Sequence, residues 1–292
     1  MPRAAIGTKS SGMSEHEQEI LSWRKARVDR LTAEDGWLSL VGRFDLPEGE
    51  QRVGSDEAAE IALPAGKAPA ELGRLIRRGR SVQFAPAAGV QVGVRRARTQ
   101  TTQPVSTTTE LKSDAEGDPD RLLFGPLILE LMQRGDSFAV RVRDTASAAR
   151  SGFPGIPYYP ISPEWRIVAR LVPYQPEKRI EMVYESGEPQ PYRSPGAAVF
   201  EWQGVEYHLD PVFDGDRPRL YIVFGDQTNR DESYGAGRFL YAPLPKNGEV
   251  ILDFNQAFSP PCAFTPYAVC PLPPQQNRLA LRVEAGEKRP HG

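Results

Sequence analysis

The sequence is short of several things that would give a function away. Only two cysteines and three histidines occur in 292 residues, so a multi-ligand zinc site or a disulfide framework has little material. Charge of one sign is also missing: 36 basic against 38 acidic side chains leave a formal net charge of -2. No global field therefore marks nucleic acid or an anionic membrane as a partner. There is no run of eighteen apolar residues and no leader-like start, so neither a membrane span nor a secretory signal is expected, and the cytoplasm is the default compartment. What is abundant is punctuation. With 26 glycines and 28 prolines spread along the chain, long helices have little room. The length suits two average domains or one large β unit with an ample core.

Residues 1–13 are small, polar and aperiodic and read as a disordered tail. From Ser14 the spacing becomes helical: Glu17 follows Ser14 as in a capping box, and Ile20, Trp23 and Leu31 recur on one side, predicting a helix over about 14–31. Beyond it the pattern is β. Short apolar or alternating runs begin at Trp37, Glu60, Ser81, Val90, Leu127, Ser137, Trp165, Ile180, Gly196, Val205, Leu220, Val250 and Leu279, with turn residues between them. Thr99 to Pro119 reads as an exposed hairpin or loop. Parallel crossovers would need helices the sequence does not offer, so the expected fold is mainly antiparallel β, a sandwich or barrel, with one N-terminal helix. Two joined β lobes would divide near 115–120, giving segments 14–118 and 119–292.

Two stretches carry more special residues than scaffolding needs. Phe224 to Leu240 leaves an apolar strand, makes a polar excursion through Asp226, Thr228 and Tyr234, and returns on Gly235-Ala236-Gly237-Arg238. Leu252 to Leu279 holds six prolines, which fix an irregular loop through restricted φ rather than through a hydrogen-bond ladder. The motifs Asp226-x-Thr228, Tyr234-Gly-Ala-Gly-Arg238-Phe, Asp253-Phe-Asn255, Pro260-Pro-Cys262-Ala-Phe264, Cys270-Pro-Leu-Pro-Pro274, Asn277-Arg-Leu279 and Ala285-Gly-Glu287-Lys288 resemble those of the DUF1684 family. Weaker similarity extends to Phe153–Pro160, Arg141–Asp144 and Trp37–Gly42. The resemblance implies a bacterial or archaeal soluble protein of one shared fold and brings no established activity with it.

The residues themselves suggest a cleft between the 226–238 and 253–277 loops. In it Asp253 is the candidate general base or orienter, Arg238 an anion clamp, Tyr234 a proton donor and Cys262 a nucleophile. Asp226, Thr228, Asn255, Asn277 and Glu287 are candidate ligand contacts, with aromatic walls from Phe254, Phe264 and Tyr267. Against this stands a purely structural reading. Asp226 with Thr228 can make a local turn, Arg238 with Asp253 a buried ion pair, and Asn255 and Asn277 can satisfy loop backbone. Cys262 and Cys270 read first as packing thiols, with a disulfide and a reactive or metal-binding pair as the alternatives. His208 is the one histidine placed in a strand, and the basic clusters Arg74–Arg80 and Arg95–Arg98 read as solvated faces. The expectation is a small-molecule enzyme, a hydrolase using acid/base chemistry. The alternative is a non-catalytic small-molecule-binding protein of β-barrel type. No cofactor, metal, nucleic acid or membrane is expected, and a homodimer is left open.

Overall fold

The computed structural model describes residues 13–184, 187 and 189–290, so the expected tail at 1–13 lies outside the described residues except for Met13. Helix α1, Glu15–Thr32, starts where the sequence placed it. The Ser14 hydroxyl accepts from the Glu17 amide at 3.1 Å, while the Glu17 carboxylate accepts from the Ser14 amide at 2.9 Å, the reciprocal arrangement of a capping box.

The strands that follow are β1 Leu40–Asp45, β2 Gly49–Gly54, β3 Ile61–Ala62, β4 Gly73–Arg78, β5 Ser81–Pro86, β6 Val92–Arg95, β7 Thr102–Val105, β8 Thr109–Leu111, β9 Arg121–Phe124, β10 Leu127–Arg134 and β11 Ser137–Asp144. A short helix α2, Ala148–Ser151, intervenes. Then come β12 Arg166–Val183, β13 Pro189–Trp202, β14 Val205–Leu209, β15 Val212–Phe213, β16 Arg219–Phe224, β17 Arg238–Pro243 and β18 Glu249–Asp253. Among these strands only the β2–β3 pairing is parallel, and the rest are antiparallel as expected.

The chain divides into two compact units. The first takes the described residues of Met1–Val28, Gly155–Ala263 and Val269–Gly292; the second takes Asp29–Pro154 and Phe264–Ala268. The second unit holds a six-stranded sheet, β1-β11-β10-β9-β6-β7, and a five-stranded sheet, β3-β2-β4-β5-β8. Both sheets feed one core, in which Val53, Leu75 and Phe84 of the smaller meet Val94, Leu129 and Val140 of the larger. Residue 118, the expected lobe boundary, falls inside this unit, because β9 to β11 share a sheet with β1 and β6. The Thr99–Pro119 stretch, expected as an exposed hairpin or loop, contributes β7 and β8, which pair with β6 and β5 and not with each other.

The first unit is built on a four-stranded sheet, β14-β13-β12-β18, and a three-stranded sheet, β15-β16-β17. Its core gathers Phe200, Ile222, Phe224, Leu240, Leu252 and Phe254. Gln203 and Gly204 both take positive φ, 51° and 79°, as the two-residue turn between β13 and β14 requires. One expected strand is missing: Leu279 to Val283 joins no sheet. It is held by single bonds, Leu279 N–H to the Gly225 carbonyl at 2.8 Å and Gln227 N–H to the Leu281 carbonyl at 2.9 Å. Leu279 and Val283 are buried, so their apolar character reflects core packing rather than a ladder. No helix among the described residues is long and apolar enough to cross a membrane.

Candidate functional site

The polar excursion after β16 begins with a turn that Asp226 organises. Its Oδ2 accepts from Thr228 N–H at 3.2 Å and from the Thr228 hydroxyl at 2.8 Å, while Asn229 Oδ1 accepts from the Asp226 amide at 2.7 Å. Asp226 thus caps the short 3-10 turn Gln227–Arg230. Its other oxygen, Oδ1, meets Arg238 Nη2 at 3.0 Å, and neither side chain is exposed at all.

Arg238 opens β17, and its guanidinium points inward. Nη2 also donates to the Val283 carbonyl at 2.8 Å, and Nη1 donates to the carbonyls of Ala285 and, at 3.3 Å, Glu287. The Asp226 carboxylate accepts from Val283 N–H at 2.8 Å. The Arg238 Nε is buried without a hydrogen-bond partner among the described residues. Arg238 therefore ties the 226 turn to the extended C-terminal segment, which has no sheet to hold it. The approach is close enough to demand glycine. Gly237 sits at φ +102°, and a Cβ there would come within 2.5 Å of the Pro273 ring and 2.7 Å of the Phe224 carbonyl.

Glu287 extends the same clasp. Fully buried, it accepts from Arg27 Nε at 2.8 Å and from Ser259 N–H at 2.7 Å. Asn277, also fully buried, accepts from Asp210 N–H at 2.7 Å and donates to the carbonyls of Asp210 and Val223. Asn255 accepts from Ser162 N–H at 3.0 Å and donates to the Ser162 carbonyl at 2.9 Å. Both asparagines do what the structural reading assigned them: they supply backbone partners where no ladder runs.

Asp253 does not meet Arg238. Its Oδ2 is shared by His16 Nε2 at 2.7 Å and Arg166 Nη1 at 3.0 Å, and its Oδ1 accepts from the Asn255 amide group at 2.9 Å. Arg166 reaches on to Glu19 at 3.0 Å. His16 is not among the candidates that the sequence singles out. A histidine facing the same side of α1 as Ile20 was the available signal.

The expected aromatic walls are dispersed. Phe254 has no exposed surface and packs edge-on against Trp165 and Phe224 in the core. Phe264 and Tyr267 belong to the second unit, where the Phe264 ring stands edge-on to Phe153 at 6.2 Å. Tyr234 is half-buried, and its carbonyl accepts from Asn229 Nδ2 at 2.9 Å. Cys262 and Cys270 are not joined in a disulfide, and the Cys262 amide donates to the Cys270 sulfur at 3.3 Å. The described residues contain no cluster of three or more histidine, cysteine, aspartate or glutamate side chains able to hold a metal. His208 lies on the surface with Glu206 at 3.0 Å.

A different polar hollow lies in the second unit, at Arg121, Arg141 and Arg143. In the sequence Arg141 and Arg143 stand out only within the weaker family similarity at Arg141–Asp144. Their spacing of two in β11, alternating with the core residues Val140 and Val142, was the signal that they share the face away from the core.

Residues 151–288 match the model of DUF1684, described as a protein of unknown function. The match bears out the resemblance read from the motifs. It takes in all of them from Phe153 onward and stops short of Trp37–Gly42 and Arg141–Asp144. The sequence is also similar to an uncharacterized protein of Haloarcula marismortui known from a solution NMR structure. The two are 28% identical over 48% of this chain and 78% of that one, with a TM-score of 0.40. The comparison with curated proteins finds no match.

Proposed function

We propose that the protein is a non-catalytic small-molecule-binding protein, and that its motif-rich loops form a buried clasp instead of a catalytic cleft. The observation that carries the non-catalytic part of this reading is the state of Arg238. An anion or oxyanion clamp must present N–H groups to the substrate. Here both Nη atoms are spent on Asp226 and three backbone carbonyls, and the side chain has no exposed surface. A general base likewise needs a lone pair within reach of its substrate. Asp253 is largely buried, and His16, Arg166 and Asn255 occupy its oxygens.

A hydrolase reading has one specific support, the 2.7 Å contact of His16 with Asp253. A carboxylate so placed can orient an imidazole as a general base. The experiment that separates the two readings melts the full chain against a panel of small metabolites and then analyses each ligand. Binding without catalysis predicts a melting shift with the ligand recovered unchanged. Recovery of hydrolysed product, lost in His16→Gln and Asp253→Asn, would contradict it.

A further inference from the structure

The second unit carries a half-open hollow of about 180 Å³ whose lining includes Arg121, Glu130, Met132, Arg141 and Arg143. The arginines are not equivalent. Glu130 holds two of them, accepting from Arg121 Nε at 2.8 Å and from Arg143 Nε at 2.9 Å. Arg121 also pairs with Asp35 at 3.0 Å, and Arg143 donates to the Gly36 carbonyl at 2.8 Å. The third acid of the lining, Asp114, is taken by Arg134 at 2.9 Å.

Arg141 is left over. Among the described residues its guanidinium has no hydrogen bond or ion pair; it lies 5.6 Å from the Trp37 ring, with the charges of Asp114 and Glu130 near enough to favour its charged form. Burial, reinforced by the nearby Arg143 charge, pushes it below the ordinary arginine range. The lining sets three guanidinium groups against the carboxylates of Asp35, Asp114 and Glu130, each of which is held by an arginine other than Arg141. A partly buried guanidinium with no protein partner leaves its planar fork available to a carboxylate or phosphate.

We propose that this hollow binds a small oxyanion, a compact carboxylate or phosphate, through Arg141. Its volume lies below the roughly 300–1,000 Å³ of drug-sized sites, which suits a compact anion. Met132 and Pro119 give the ligand a partly apolar wall. The proposal rests on the binding reading above and supplies its site and ligand class.

The test is calorimetric titration of the full chain with inorganic phosphate and, separately, with acetate, at low ionic strength with chloride as the control. The two arms distinguish phosphate from carboxylate. The expected result is saturable binding of at least one, weakened tenfold or more in Arg141→Gln and in Met132→Trp, which fills the hollow and keeps every charge. Arg80→Gln, at a side chain 72% exposed, should bind as the parent does. Circular dichroism checks that each variant folds. Absence of saturable binding to about 10 mM for both anions, or binding that survives Arg141→Gln intact, would overturn the proposal. A metabolite-induced melting shift that persists in Arg141→Gln would overturn this site and leave the binding reading standing. A ligand consumed during the melt would overturn the binding reading itself.

Discussion

Arg27, on the N-terminal helix, donates its Nε to the Glu287 carboxylate at 2.8 Å, across 260 positions of sequence and with neither side chain appreciably exposed. The same arginine donates Nη2 to the Ser259 carbonyl at 2.8 Å, and Glu287 accepts from Ser259 N–H at 2.7 Å. Helix, loop and C-terminal segment are thereby closed into one ring of charge-assisted bonds.

Breaking that ring from one side leaves a buried charge alone. Glu287→Ala should cost about 3–5 kcal/mol in urea unfolding, since Arg27 loses its partner inside the protein. Glu177→Ala, which breaks an exposed pair with Arg193, should cost less than about 1 kcal/mol. Similar losses in the two variants would contradict the assignment.

Gly237→Ala should destabilise the first unit without touching any charge. The added Cβ meets Pro273 and the Phe224 carbonyl well inside contact distance, at a φ of +102° that side chains resist. The expected loss is about 1–3 kcal/mol, read from the same urea curves. Gly248→Ala is the control, because its φ of +79° carries the conformational cost with nothing within 4 Å of the new Cβ. It should lose less than Gly237→Ala.

Four phenols make the fold less stable at alkaline pH. Burial is the leading cause in each case, pushing Tyr159 and Tyr174 up to about 12 and raising Tyr221 and Tyr241. The unfolded chain releases these protons near pH 10, while the folded chain holds them further. Between pH 10 and about 12 the unfolded state therefore binds fewer protons, and stability falls as pH rises. Unfolding followed at pH 9, 10 and 11 should show the decline. Tyr159→Phe should make it shallower, and an unchanged slope in that variant would contradict the role given to Tyr159.

Much of the fold was legible because it rests on local rules. The Ser14–Glu17 capping box, the 127–144 hairpin and the Gln203-Gly204 turn all depend on residues within a few positions of each other. The lobe boundary was not local. Whether β9 to β11 join the strands before or after them is decided by long-range pairing with β1 and β6, which leaves no mark at residue 118. In the motif loops the residue types were right for a polar constellation, but the partner was misjudged: Arg238 pairs with Asp226 and not with Asp253. Two acids in neighbouring loops look alike in sequence, and only the inward start of β17 selects one. The unpaired state of Arg141 was hidden for a related reason, because it follows from where Glu130 and Asp114 spend their oxygens.

The claim that the motif residues form a clasp is tested most directly by a double-mutant cycle on Asp226 and Arg238, measured by denaturant unfolding of the full chain. Arg238→Met should cost about 3–5 kcal/mol, because it strands the Asp226 carboxylate and three buried carbonyls. Asp226→Asn should cost much less in that background than in the parent, giving a coupling of about 1–3 kcal/mol. An Arg238→Met variant within about 0.5 kcal/mol of the parent, with no coupling to Asp226, would contradict the account.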